Sequence, residues 1–339
     1  MTESDLETFI AGLPKAELHV HHVGSASPRI VAELAARHAG STPVPADEAL
    51  LADYFTFTDF AHFVTVYLSV VDLLRDAEDI WTLTYEIARE LAAQTVRYAE
   101  LTLTPYSSVA RGIPAEAFCD AVEDARRRAA ADFGVQLVWS FDIPGEAGLP
   151  AADVTLDIAR RQRPDGLISF GLGGPELGVS REQFAPHFAA AIAEGLHSVP
   201  HAGESTGPET IWDALKHLKA ERIGHGIAAV RDPRLLEHLA TSGIPLEVCP
   251  TSNVRTRSVP SLAEHPLAAI VAAGVPVSIN SDDPPMFSTT LNREYAVAAA
   301  LLGLDRAGVA DLARAGVHQS FLGSAGKTAL LAEIDDYAR

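Results

Sequence analysis

At 339 residues, with hydrophobic residues making up 47% of the chain and a formal net charge of −19, there is ample material for a large core and no low-hydrophobicity signature of disorder. That charge repels a nucleic-acid backbone, and no Lys/Arg stripe interleaved with aromatics offsets it. The two cysteines, Cys119 and Cys249, lie far apart without a C-x-x-C partner, which argues against a disulfide framework or a thiolate zinc site.

The opening segment "MTESDLETFIAGLPK" carries acidic residues, no basic start and no long apolar run, so it does not read as a secretory leader. No uncharged apolar run reaches membrane-spanning length. The expectation is a cytoplasmic protein acting on small molecules, with no nucleic-acid and no membrane partner. From "AELHVH" (16 to 21) onward, short β-type runs alternate with longer Ala/Leu/Glu/Arg-rich segments of helical period. The connection after that first run continues to about residue 75, contains "STPVPADEALLADYFTFTDF", and exceeds an ordinary βα loop. Extra-long connections in compact domains are commonly lids or binding elements.

The later candidate strands are "RYAELTLT" (97 to 104), "QLVWSFDI" (136 to 143), "LISFGLG" (167 to 173), "HSVPHAG" (197 to 203), "RIGHGI" (222 to 227), "PLEVCPT" (245 to 251) and "PVSINSD" (276 to 282). Eight βα units that close on themselves make an α/β fold of the TIM-barrel type, (β/α)8, here with a lid insertion after the first strand. Length fits such a barrel in one piece. No composition break divides the chain, so residues 1–339 read as a single domain.

The polar residues that could do chemistry sit where these strands end: His19 and His21, then His201 with Glu204, then His225, then Asp282 and Asp283. In a barrel that is the face on which active sites are built. An i, i+2 spacing turns His19 and His21 to the same side. One H-x-H on a strand is weak evidence, and histidines on helices such as His62, His187, His217 and His238 are ordinary surface or packing residues. Co-occurrence is what carries weight, because buried imidazoles and carboxylates are expensive unless paired or ligated.

Three imidazoles and a carboxylate form an N3O set suited to Zn2+ with an open position for water. Such an ion supplies hydroxide at neutral pH. His225 is a fourth imidazole available to orient or deprotonate the water, and Glu204 can handle a proton beside it, which together suit hydrolytic attack on a C=N or C=O carbon. Two phosphate-loop look-alikes fall short: "GLGGPE" (171 to 176) lacks the G-x-G-x-x-G order, and "FLGSAGKT" (321 to 328) has Phe321 in place of the first glycine.

The motifs "LPKAELHVH", "HAGE", "RIGHG", "CPTSN" and "NSDDP", in this order along nearly the whole chain, resemble the adenosine deaminase family of metal-dependent amidohydrolase barrels. The resemblance implies one Zn2+ per chain on His19, His21, His201 and Asp282, and an adenine nucleoside as the small-molecule substrate. It assigns Glu204 to protonate ring N1, His225 and Asp282 to orient and activate water, Asp283 to meet N7, and the N–H of Gly174 to meet N3.

One position departs from the family pattern. Members acting on plain adenosine usually have an acidic residue two places after the second metal histidine, facing the sugar 5′-hydroxyl; here that place is Val23, in "HVHHVGS". An apolar side chain cannot accept that hydrogen bond. The stretch is similar to that of the aminodeoxyfutalosine deaminases of menaquinone biosynthesis, whose substrate carries an alkyl ketone and a benzoate at its 5′ end. That implies apolar contact from Val23, aromatic walls from Phe60 and Tyr67 within "FTFTDFAHFVTVYLSVV", and a carboxylate partner in Arg255 or Arg257 of "CPTSNVRTRSV". The competing expectations are an ordinary adenosine or adenine deaminase and a purine-binding protein without catalysis.

Overall fold

The barrel is laid down strand by strand, in chain order, in a computed structural model that describes the backbone of residues 3–57 and 60–339 and the side chains of residues 4–57 and 62–339. Strands β1 (Lys15–His21), β2 (Val96–Leu103), β3 (Gln136–Pro144), β4 (Leu167–Gly173) and β5 (His197–Ser198) pair in parallel as one sheet. Strands β6 (His201–Ala202), β7 (Ile223–His225), β8 (Leu246–Val248) and β9 (Val277–Ile279) form the second. The predicted strand at 197 to 203 is thus split into β5 and β6 around Pro200, which has no N–H to give to a ladder. Val199 N–H still reaches Phe170 O at 3.0 Å, and Gly224 N–H reaches Pro200 O at 3.0 Å, so β5 and β6 act as one barrel position.

The last strand closes on the first. Val20 pairs with Asp282 in parallel, His21 N–H donates to Asp282 O at 2.9 Å, and Asp282 N–H donates to His19 O at 3.1 Å. The result is a (β/α)8 barrel, as the alternation implied. Its late strands are shorter than the sequence suggests because special backbone ends them early: His225 (φ 60) and Gly226 (φ 67) are left-handed, and Pro250 starts a helix, Pro250–Arg255, directly after Cys249.

The helices cover the barrel for local reasons. Helix Ala115–Phe133 buries Phe118, Val122, Ala125 and Ala129 along one face and stops at Gly134 in left-handed backbone. Helix Ala77–Ala93 begins where the Asp76 carboxylate accepts from the N–H groups of Glu78 and Asp79. The long connection after β1 is mostly helical, with a 3₁₀ turn at Val23–Ser25 and helices Pro28–Arg37, Glu48–Tyr54 and Phe60–Val71. The Phe63 ring lies 5.2 Å from Phe287, which sets the last of these helices against the loop that follows Asp283. No described helix is long and apolar enough to cross a membrane.

At the N-terminal end of the barrel Arg222 ties three strands together. Its Nε donates to Glu247 Oε1 at 2.7 Å, Nη2 donates to Glu100, and Nη1 donates to Gln319 O at 2.8 Å. All three charged residues are almost fully buried. The phosphate-loop look-alike is explained here: Phe321 stacks on His197 at 3.7 Å and lies 3.9 Å beneath the Arg222 guanidinium, a packing role far from the strand C-termini. Removing one partner of a buried ion pair leaves an uncompensated charge. Arg222→Ala is therefore expected to lose about 3 to 5 kcal/mol in chemical denaturation, and a loss below about 1 kcal/mol would show that the trio is solvated.

Candidate active site

The seam between β9 and β1 sets the centre of the site. His19 and His21 point into the barrel from β1, His201 enters from β6, and Asp282 follows β9 in left-handed backbone at φ 66. Their ligating atoms converge. His21 Nε2 is 3.2 Å from His201 Nε2 and 3.2 Å from Asp282 Oδ1, while His19 Nε2 is 3.6 Å from the same oxygen. The three imidazoles each present a nitrogen within 4.8 Å of the others.

Two of the three imidazoles are aimed from behind. His19 Nδ1 is 2.9 Å from Glu247 Oε2, and His201 Nδ1 is 3.1 Å from Leu172 O. These contacts leave Nε2 facing the centre, and the buried Nε2 of His19 has no hydrogen-bond partner. Ser252 Oγ donates to Asp282 Oδ2 at 2.6 Å. Ligating histidines characteristically use their second nitrogen in this way.

The carboxylates around these imidazoles favour positive charge at the centre. Burial pushes His19 and His21 down, but the neighbouring carboxylates outweigh it and raise them to about 10 and about 9. Burial and the charges of its neighbours hold His201 well below its ordinary value. Burial disfavours the Asp282 carboxylate, yet the adjacent imidazoles of His19 and His21 bring it well below the ordinary range. Donor type, convergence and the orphaned His19 nitrogen fit a metal ion. Cys249 also lies near His19 and Asp282, but burial pushes its thiol well above 9, so it offers no thiolate.

Around this centre stand the other expected groups. Glu204 Oε2 is 3.7 Å from His225 Nε2, which is 3.8 Å from Asp282 Oδ2. Thr256 Oγ1 donates to Glu204 Oε1 at 3.2 Å, and burial, with Asp282 next, lifts Glu204 to about 8. Both effects favour its protonated form. Asp283 is pushed up to about 7 by burial and by the Asp282 charge, and its Oδ1 has no hydrogen-bond partner. Gly24 makes room for it, since a Cβ there would overlap the Asp283 carboxylate.

The expected substrate contacts occupy the rim. Gly174 is exposed in left-handed backbone at φ 79, against the Glu146 carboxylate. Val23 and Tyr67 line a small cavity together with His22, Thr104 and Ser107. Arg255 and Arg257 are exposed on either side of Thr256, the residue that holds Glu204. The Phe60 side chain lies outside the described residues.

Several contributors were not singled out from the sequence. Glu176, in the discarded "GLGGPE", accepts from Ser205 N–H at 2.7 Å, Thr206 N–H at 2.9 Å and Thr206 Oγ1 at 2.9 Å, pinning the loop that carries Glu204. Arg181 bridges Glu176 to His201 O. Asp142 lies near the C-terminal end of β3, beside His201, with a Cβ at Gly173 excluded by its carboxylate. Asp142 followed the same strand-end rule as the other residues and was findable. Glu247 was findable as an inward charge in an apolar strand, whereas Glu176 and Arg181 had no local signal.

Comparison with known proteins points the same way. A family model described as adenosine deaminase matches residues 14–337. An aminodeoxyfutalosine deaminase of Streptomyces coelicolor is 67% identical over 98% of this chain and 86% of its own length. The structure of an adenine deaminase from Arthrobacter aurescens superposes with a TM-score of 0.90 at 31% identity, covering 96% of this chain and 99% of that one. A zinc-bound amidohydrolase from Burkholderia ambifaria gives 0.89 at 25% identity, covering 98% and 93%.

A metal bound only by the native state stabilises it by about 4 kcal/mol at a thousandfold excess over Kd. Exhaustive chelation is therefore expected to lower the thermal midpoint and Zn2+ to restore it, while His201→Ala gives no such response. A midpoint indifferent to chelation in the parent protein contradicts the metal assignment.

Proposed function

The chain belongs to the adenosine deaminase family, and on that premise we propose that it hydrolytically removes the 6-amino group of aminodeoxyfutalosine, an adenine nucleoside extended at its 5′ position. The observation that carries the choice of substrate is the 67% identity to the Streptomyces coelicolor enzyme of that name. Val23, standing where a carboxylate would meet a free 5′-hydroxyl, supports it. The enzyme holds one Zn2+ per chain on His19, His21, His201 and Asp282 and works in the cytoplasm, a reducing compartment suited to its two free, buried cysteines.

When bound, the metal ion lowers the pKa of water and supplies the nucleophile at neutral pH. Glu204, protonated because it is buried among other carboxylates, gives its proton to ring N1 and so makes C6 electrophilic. The oxygen of water adds to C6. Asp282, fixed by Ser252, takes a proton from the attacking water. One proton from that water leaves with the amine as ammonia, and the other restores Glu204, so the product carries a C6 carbonyl and N1–H.

The remaining groups position the base. N7 of a purine only accepts, so its partner must carry a proton, and Asp283, raised to about 7, does so over the lower neutral range. Gly174 N–H faces N3. Phe63 and Tyr67, with ring centroids 6.0 Å apart, supply an apolar wall beyond Val23, and the helical connection after β1 covers the bound extension. Arg255 or Arg257 meets the terminal carboxylate at the rim.

Three outcomes are expected. Glu204→Gln retains its metal but loses ~10²-fold to 10⁴-fold in kcat; near-normal turnover would mean that the proton comes from elsewhere. In a panel of adenine, adenosine, 5′-methylthioadenosine and aminodeoxyfutalosine, followed by loss of adenine absorbance, aminodeoxyfutalosine is favoured at least tenfold in kcat/KM. Efficient turnover of adenosine or adenine overturns the substrate assignment. Neutralising the arginine that meets the carboxylate costs aminodeoxyfutalosine about tenfold, or ~1.4 kcal/mol, and spares 5′-methylthioadenosine; equal losses on both remove the arginine from that role.

A further inference from the structure

We propose that a hydrogen-bond chain starting at the main-chain N–H of Leu267 and running through His265 and Asn253 fixes His225 as the tautomer with its proton on Nε2, so that His225 meets the reacting water as a donor and not as a base. Each link follows from what its atoms can do. Leu267 N–H can only donate, and it lies 3.1 Å from His265 Nδ1, so that nitrogen is unprotonated. Burial holds His265 down at about 4, which leaves a neutral ring with its one proton on Nε2.

His265 Nε2 is 3.1 Å from Asn253 Oδ1, and the carbonyl accepts. This settles which way the amide faces, because the flipped amide would set a donor against a donor. Asn253 Nδ2 then lies 3.1 Å from His225 Nδ1, which must accept in turn. A proton on His225 Nδ1 would confront the amide N–H, so neither the other tautomer nor the imidazolium is compatible with the chain. The remaining ring proton sits on Nε2, the nitrogen turned towards Glu204 and Asp282. All three side chains are buried, with Asn253 fully so, and no competing water can easily reverse the polarity.

The consequence revises one of the two roles that the sequence left open for His225. It orients the nucleophile by donation, and deprotonation falls to Asp282. Asn253 and His265 are positioning residues that act through His225. The kinetic consequence rests on the deaminase reading, whereas the tautomer itself does not.

The test is side-chain ¹⁵N NMR of the zinc-loaded protein labelled at histidine, with His225 assigned by the signals lost in His225→Asn. The parent protein is expected to show His225 with Nε2 protonated and Nδ1 bare. Asn253→Asp keeps the bond from His265 but presents an acceptor to His225 Nδ1. It is expected to protonate that nitrogen and to lower kcat for aminodeoxyfutalosine at least tenfold with KM changed less than threefold and metal content retained. His265→Gln, which keeps a donor facing Asn253, preserves the parental His225 spectrum, and His265→Leu does not. A parental His225 with Nδ1 protonated overturns the proposal whether or not the variants fold, and so does an Asn253→Asp spectrum that matches the parent. A correct tautomer in a protein that turns over no purine counts against the proposed function alone.

Discussion

The pairing of Val20 with Asp282 is the constraint on which the rest depends. It joins the two ends of the barrel, and in doing so it brings His19 and His21 from one strand against Asp282 from the other. Side chains hold the same seam: Leu18 N–H donates to Asn280 Oδ1 at 2.8 Å, and Ser281 N–H donates to Glu17 Oε1 at 3.0 Å. Because side chains alternate along a strand, a slip of one residue would turn both imidazoles outward. Barrel closure and assembly of the site are therefore the same structural event.

Closure places charges where burial is costly, and the surroundings answer with oriented partners. Glu247 serves two of them at once, accepting from Arg222 through one oxygen and facing His19 Nδ1 with the other. The ion trio thus reaches the His19 ring, whose Nε2 faces the centre of the site. Glu176 does the same for Glu204, since the loop bearing it is held by bonds to that one carboxylate. Left-handed backbone at His225 and Asp282 is sparsely populated for such residues, and it persists here because these networks over-determine it.

The strand-end histidines and the aspartate pair were legible because their signal is local: a two-residue spacing on a strand, or a polar residue ending an apolar run. The early strands were legible for the same reason, and β1 to β4 fall within a residue or two of their sequence bounds. The late strands were overdrawn at 222 to 227, 245 to 251 and 276 to 282. In the first two, apolar residues continue past the point at which left-handed backbone and Pro250 end the ladder, whereas the third passes from Ile279 into the polar Asn280, Ser281 and Asp282. The supporting residues were hidden for a different reason. His265 and Arg181 act across the fold, through partners supplied by other elements, and nothing in their own neighbourhoods marks them. Asn253 stood inside a quoted motif, yet its function depends on which atom faces which ring.

The central claim is that one ion, held at the seam by His19, His21, His201 and Asp282, faces a purine whose 5′ extension runs past Val23. Anomalous diffraction at the zinc edge, from crystals of the zinc-loaded protein with its deaminated product, tests this most directly. The account predicts a single anomalous peak bounded by those four side chains, with the product ring between Glu204 and Asp283 and its 5′ extension beside Val23 and Tyr67. A peak held instead by Asp142 or Cys249, or a product whose 5′ end points away from Val23, would contradict it.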